Sequence, residues 1–184
     1  MTTLALALVA GCDERGTAGE APPGRVVAVQ AEDEAPAEEL CDVVPEDATL
    51  ALPALADGQA APSGGRRWLN VWATWCRPCV EELPLLRRWE DQLAADGVDV
   101  DLVFLSADAD AGAVATFRER HPRAPESLRM ADPQDLPGWV GTVGLDEGAT
   151  LPIHVLTDDD GRVLCARAGA LSEDDYEAVR AIWR

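Results

Sequence analysis

The chain has 184 residues, enough for one ordinary domain with a real core plus an appendage, and its 47% hydrophobic and 5% aromatic content is that of a globular protein. Thirty-four Asp and Glu stand against fifteen basic residues, all of them Arg, for a formal net charge of −19. Phosphate and anionic lipid both require clustered cations, so this balance argues against nucleic acid partners and against adhesion to an anionic membrane surface.

The first feature in chain order is a short apolar run, Leu4 to Ala10, well below the ~20 residues of a spanning helix. It closes on Val9-Ala10-Gly11-Cys12 and turns polar at Asp13. A short apolar stretch ending in small residues reads as an export signal over residues 1–11. Its last four residues resemble the lipobox of bacterial lipoproteins, which implies that Cys12 carries lipid. Residues 12–46 are rich in Glu, Asp, Ala, Pro and Gly, a composition that favours an acidic disordered tether. The domain proper is expected over 47–184.

Within it, Thr49 to Leu55 is a candidate edge strand. Arg66 to Ala73 reads as a buried strand after the breakers Pro62-Ser63-Gly64-Gly65. A helix follows Cys76-Arg77-Pro78-Cys79 as far as Ala95, with a kink expected at Pro84 and a stop at Gly97. Val98 to Ser106 is a strand apolar on both faces. Asp110 to Arg120 is an amphipathic helix with Asp108 or Asp110 as its N-cap. Leu128 to Met130 suggests a short strand and Leu136 to Val143 a short helix. Pro152 to Leu156 and Arg162 to Ala168 flank an Asp-Gly hairpin turn. Ser172 caps a last helix over Glu173 to Trp183, with Asp175 completing a capping-box variant. This order predicts an α/β architecture: a mixed central sheet with helices on both faces and an N-terminal β extension.

The chemistry concentrates in the cysteines at 12, 41, 76, 79 and 165. One close pair and three singles do not make a zinc framework, and His121 and His154 lie far along the chain from the pair, so no metal is expected. A strand running into C-x-x-C at a helix start places a thiol among unpaired N–H groups at the positive end of the helix dipole, where a thiolate is stabilised. Cys76, at the helix mouth, is therefore the expected low-pKa, exposed nucleophile, and Cys79, one turn in, the shielded resolving thiol. Arg77 adds a positive charge beside the nucleophile, Pro78 restricts the backbone, and Trp75 adjoins the pair.

Val71-Trp72-Ala73-Thr74-Trp75-Cys76-Arg77-Pro78-Cys79-Val80-Glu81-Glu82-Leu83-Pro84 resembles the active-site run of membrane-tethered thioredoxin-like proteins of the TlpA/ResA type. Leu52 to Gly58 is similar to the extension that precedes the fold in that family, Thr150-Leu151-Pro152 to its cis-proline segment, and Asp160 to Val163 to the hairpin after it. The resemblance runs from about Asp47 to the C-terminus and implies a thioredoxin-like fold. It implies that Pro152 is cis and lies against the cysteine pair, with the backbone of Leu151 offered to a substrate strand. It also implies that Glu82 tunes the thiols and assists proton transfer. Asn70 stands where cytoplasmic thioredoxins place a buried acid, so proton handling through that position is not expected. Leu151 is bulkier than the residue many relatives carry there.

With Cys12 assigned to lipid and the C-x-x-C to redox work, Cys41 and Cys165 remain. An oxidising compartment favours their pairing as a structural disulfide; two unpaired thiols are the alternative. The resulting expectation is a thiol–disulfide oxidoreductase, monomeric and without cofactor, lipid-anchored on the periplasmic side of a bacterial membrane. It would reduce disulfides of exported proteins, for example in cytochrome c maturation or metal-site assembly, and be re-reduced by a membrane redox partner. The alternatives are an oxidant using the same pair and a non-catalytic binding module. A peroxidase of the peroxiredoxin type would need a Thr-x-x-Cys setting rather than a C-x-x-C.

Overall fold

The computed structural model describes residues 39–60 and 64–184; Cys12, the signal segment and most of the tether lie outside the described residues. Five strands, β1 (Arg67–Trp72), β2 (Asp101–Ser106), β3 (Leu128–Arg129), β4 (Ile153–Thr157) and β5 (Val163–Ala168), form a single sheet in the order β3-β2-β1-β4-β5. β1, β2 and β3 run parallel, whereas β4 is antiparallel to both β1 and β5. Helices α1 (Arg77–Ala95) and α2 (Ala113–Arg120) make the two parallel crossovers, and α3 (Leu136–Thr142) and α4 (Tyr176–Ala181) follow β3 and β5.

Alternation along the strands splits the core in two. Trp68 and Trp72 of β1 and Phe104 of β2 face α1, α2 and α4, where they meet Leu83, Leu86, Trp89, Leu93, Phe117, Val179 and Trp183. Leu69 and Val71, with Val103, Leu105, Ile153 and Val155, face the other way against Trp139, Val140 and Val143 of the α3 region. Both faces are therefore covered, as the near-continuous apolar strands require. Trp68 sits 6.2 Å from Trp89 and 6.4 Å from Trp183 between ring centroids, and such pairs each add about 0.5–1.5 kcal/mol beyond area burial.

Several local expectations shift. The expected edge strand at Thr49 to Leu55 does not form: the extension makes only isolated bridges, Val43 with Ala166, Thr49 with Arg162 and Leu55 with Met130. It pairs with β5 through Val43 and Ala48, and then passes under α3, where Trp139 Nε1 donates to the Ala51 carbonyl at 2.7 Å. Leu40, near its start, is buried. The extension thus covers a sheet edge without adding a regular strand to it. The helix after the cysteine pair, α1, does run to Ala95 as expected, with Pro84 inside it. The strand expected from Val98 begins only at Asp101, and the helix expected from Asp110 begins at Ala113. The last helix opens as a 3-10 turn, Glu173–Asp175, closed by reciprocal bonds between Ser172 and Asp175.

Candidate active site

β1 and β2 end level with each other, and past Trp72 the chain turns through Ala73-Thr74-Trp75 into α1. A buried carboxylate holds this turn. Asp108, just beyond β2, accepts from the Thr74 N–H at 3.0 Å, from Thr74 Oγ1 at 2.7 Å and from Ser106 Oγ at 2.8 Å. The sequence pattern offers Asp108 as a possible N-cap of α2; instead it stabilises the segment before the cysteines, and Asp110 Oδ1 takes the Gly112 N–H at 2.8 Å.

Cys76 is the N-cap of α1, with extended backbone, and its Sγ stands where a capping oxygen would, accepting from the Cys79 N–H at 3.4 Å. The two sulfurs are bonded to each other. Cys79 is fully buried and Cys76 is 6% exposed, so the expectation of an openly exposed Cys76 needs correction. In the oxidised pair its sulfur is drawn into the first turn and packs with Trp72, Ala73 and Cys79, leaving only a sliver to solvent. Trp75 beside it is 69% exposed. Arg77 does not stand free: its Nε is 2.7 Å from Glu81 Oε1, one turn on, and this hydrogen bond holds the guanidinium above its usual pKa. The Arg77 charge is thus paired with a carboxylate rather than standing alone beside the thiol. Pro78 occupies the first turn, where its missing N–H breaks no helical bond.

Glu82, one turn beyond Cys79, is buried. Its Oε1 accepts from Asn70 Nδ2 at 3.0 Å and its Oε2 from the Leu171 N–H at 3.0 Å. His154 Nε2 stands 3.4 Å from Oε1. Asn70, set aside at the sequence level, thus binds the acid. His154, dismissed for its distance along the chain, lies beside it because β4 pairs with β1 and sets His154 opposite Asn70. The available signal was its place two residues after Pro152, on the strand face that carries Asn70.

The Leu151–Pro152 peptide is cis. Val71 pairs with Ile153, which places Pro152 at the end of β4 nearest the cysteine turn, and Leu151 packs against the core cluster that contains Cys76 and Cys79. Cys41 and Cys165 are bonded, with their Cα atoms 5.4 Å apart. A groove of about 400 Å³ opens beside the pair, with Pro78, Glu82, Leu85, Leu171 and Ser172 among its walls. A larger one, about 640 Å³, lies between α1 and the end of α2, with Val80, Leu83, Phe117 and His121 among its walls. Among the described residues no group of three or more His, Cys, Asp or Glu could hold a metal ion, and no helix is long and apolar enough to cross a membrane.

A C-x-x-C cysteine pair at a helix mouth, on a mixed sheet of this order, with a cis-proline at the neighbouring strand end, defines a thioredoxin-like thiol–disulfide oxidoreductase. The chain belongs to the Redoxin family, whose model matches residues 30–181. It is 32% identical over 146 residues to the thiol:disulfide interchange protein DsbE homolog of Paracoccus denitrificans, covering 68% of this chain and 74% of that one. With the thiol-disulfide oxidoreductase ResA of Bacillus cereus it shares 26% identity over 110 residues, 60% of this chain and 58% of the relative. The chain therefore spans well under two thirds of the ResA relative's length. Two crystal structures share the fold. The thioredoxin domain of a thiol-disulfide oxidoreductase from Bacteroides vulgatus superposes with a TM-score of 0.58 at 16% identity, covering 77% of this chain and 99% of that one. A thiol:disulfide interchange protein from Chlorobium tepidum gives 0.55 at 24%, with the same coverage.

Proposed function

We propose that this oxidoreductase runs as a dithiol reductant of exported proteins, working outside the cytoplasm. The observation that carries the reading is the pair itself: one sulfur at the α1 mouth with a thin exposed face, the other fully buried one turn in, with a buried carboxylate one turn further. Cys76 attacks a substrate disulfide as a thiolate, forming a mixed disulfide and releasing one substrate sulfur. Cys79 then gives its proton to Glu82, and its sulfur attacks Cys76. The Cys76–Cys79 bond forms as the second substrate sulfur leaves; the substrate gains the two electrons the pair loses. Trp75 and the backbone of Leu151 present a docking edge for the substrate strand, with Pro152 shaping it. Pro78 sets the backbone of the first turn, and the Arg77–Glu81 pair its local charge.

The second disulfide, Cys41–Cys165, supports an oxidising workplace, since such bonds rarely persist in a reducing cytoplasm. A lipid on Cys12 with an acidic tether would hold the domain near the periplasmic face of a membrane, within reach of a membrane partner that re-reduces the pair. Measuring the reduction potential tests the direction. A value near about −270 mV or lower is expected, whereas one near about −120 mV would make the protein an oxidant. Insulin reduction should vanish in Cys76→Ser, and full activity there would remove Cys76 as the nucleophile.

A further inference from the structure

His154 is a buried ionisable side chain with one nitrogen committed and the other unspent. Its ring is 1% exposed. Trp68 Nε1 donates to Nδ1 at 3.2 Å, and Asn70 Nδ2 approaches the same atom at 3.5 Å. An indole N–H can only donate, so Nδ1 must be the acceptor, and the ring proton sits on Nε2. That Nε2–H has no well-aligned hydrogen-bond partner among the described residues, and the group it faces is Glu82 Oε1, 3.4 Å away. The other charged side chain in this row is Arg167, opposite His154 on β5, whose Nη1 is spent on the Leu40 carbonyl. A buried donor that faces a buried carboxylate at 3.4 Å without a full hydrogen bond has that carboxylate within reach as its partner.

We propose that His154 is a positioning residue for the thiol–disulfide reaction, acting through Glu82. Trp68 fixes the tautomer, the tautomer aims Nε2–H, and Nε2–H with Asn70 steers Oε1. The carboxylate that takes the Cys79 proton is thereby held in one orientation during release of the mixed disulfide. The inference rests on the proposed role of Glu82 as that proton acceptor.

The test uses the full chain and resolves the two chemical steps by stopped flow with a disulfide peptide. Attack by Cys76 is read in a Cys79→Ala background and release in the intact pair. His154→Leu should leave attack within twofold and slow release about ten- to a hundredfold, the scale of a misplaced catalytic group. His154→Gln, whose amide can accept from Trp68 and donate to Glu82, should restore release to within a fewfold. In a Glu82→Gln background His154→Leu should add nothing. If His154→Leu fails to fold, His154→Asn, polar but too short to span both partners, carries the same comparison. Equal slowing by Gln and Leu, or equal slowing with and without Glu82, overturns the proposal. If Glu82→Gln leaves release unchanged, the reading of Glu82 fails instead, and the two failures are told apart by that single variant.

Discussion

Replacing Asp108 should cost both stability and catalysis, because its carboxylate holds the turn that delivers Cys76. Three donors converge on a group that is 2% exposed: the Thr74 N–H, the Thr74 hydroxyl and the Ser106 hydroxyl. Hydrogen bonds to a charged acceptor contribute about 1.5–3 kcal/mol each in mutational series, and an abandoned buried donor costs about 1–3. Thr74 is half-buried and can recruit water, while Ser106 is fully buried and cannot. Asp108→Ala should therefore lose about 3–5 kcal/mol, a large part of the 5–15 typical of a domain. Asp108→Asn keeps one acceptor oxygen and should lose about 1–2 kcal/mol. Urea unfolding of the oxidised protein gives both values, and the alkylation rate of Cys76 in the reduced protein reports on the turn. The Ala variant should slow insulin reduction about tenfold or more through displacement of Cys76. A loss below about 1 kcal/mol for Ala, or a smaller loss for Ala than for Asn, would refute the reasoning.

The double replacement Cys41→Ser and Cys165→Ser opens a loop of sequence separation 124, for which the chain-entropy model gives about 5 kcal/mol as an upper figure. Calorimetry should show Tm lower by about 10–20 °C, and an unchanged Tm would mean that the bridge does not stabilise the domain. Burial, and then the hydrogen bond to Asp96, pushes the phenol of Tyr176 up to about 12. A folded value above the unfolded one of about 10 means a contribution fully present below pH ~10 and lost as pH rises toward 12. Tyr176 is the only tyrosine, so phenolate absorbance reads it directly; a midpoint near 10 in the folded protein would contradict the packing.

The elements legible in the sequence are those whose causes lie within a few residues. A thiol at a helix N-cap needs only the strand before it, the turn and four helical residues. The Asp-Gly hairpin between β4 and β5 and the Ser172–Asp175 capping box are equally local, and both stand where the pattern sets them. The strand starting at Val98 and the helix starting at Asp110 came out shorter, because their first residues are spent on loop geometry that periodicity does not register. The edge strand failed for a longer-range reason. The extension must pass from β5 to the loop after β3 beneath Trp139, so it pairs at single points rather than along a ladder.

By itself, then, the sequence determined the cysteine pair, its helix mouth and the order of strands and helices, since covalent neighbours and short-range hydrogen bonds decide these. Only the tertiary structure decided that Cys76 is nearly covered, that Arg77 is offset by Glu81, and that Asp108 serves the cysteine turn rather than α2. It likewise decided that Asn70 and His154 converge on Glu82 although 84 residues separate them from each other. The register of an antiparallel strand pair makes that neighbourhood, and it follows from how the whole sheet buries its two faces rather than from any segment of the chain.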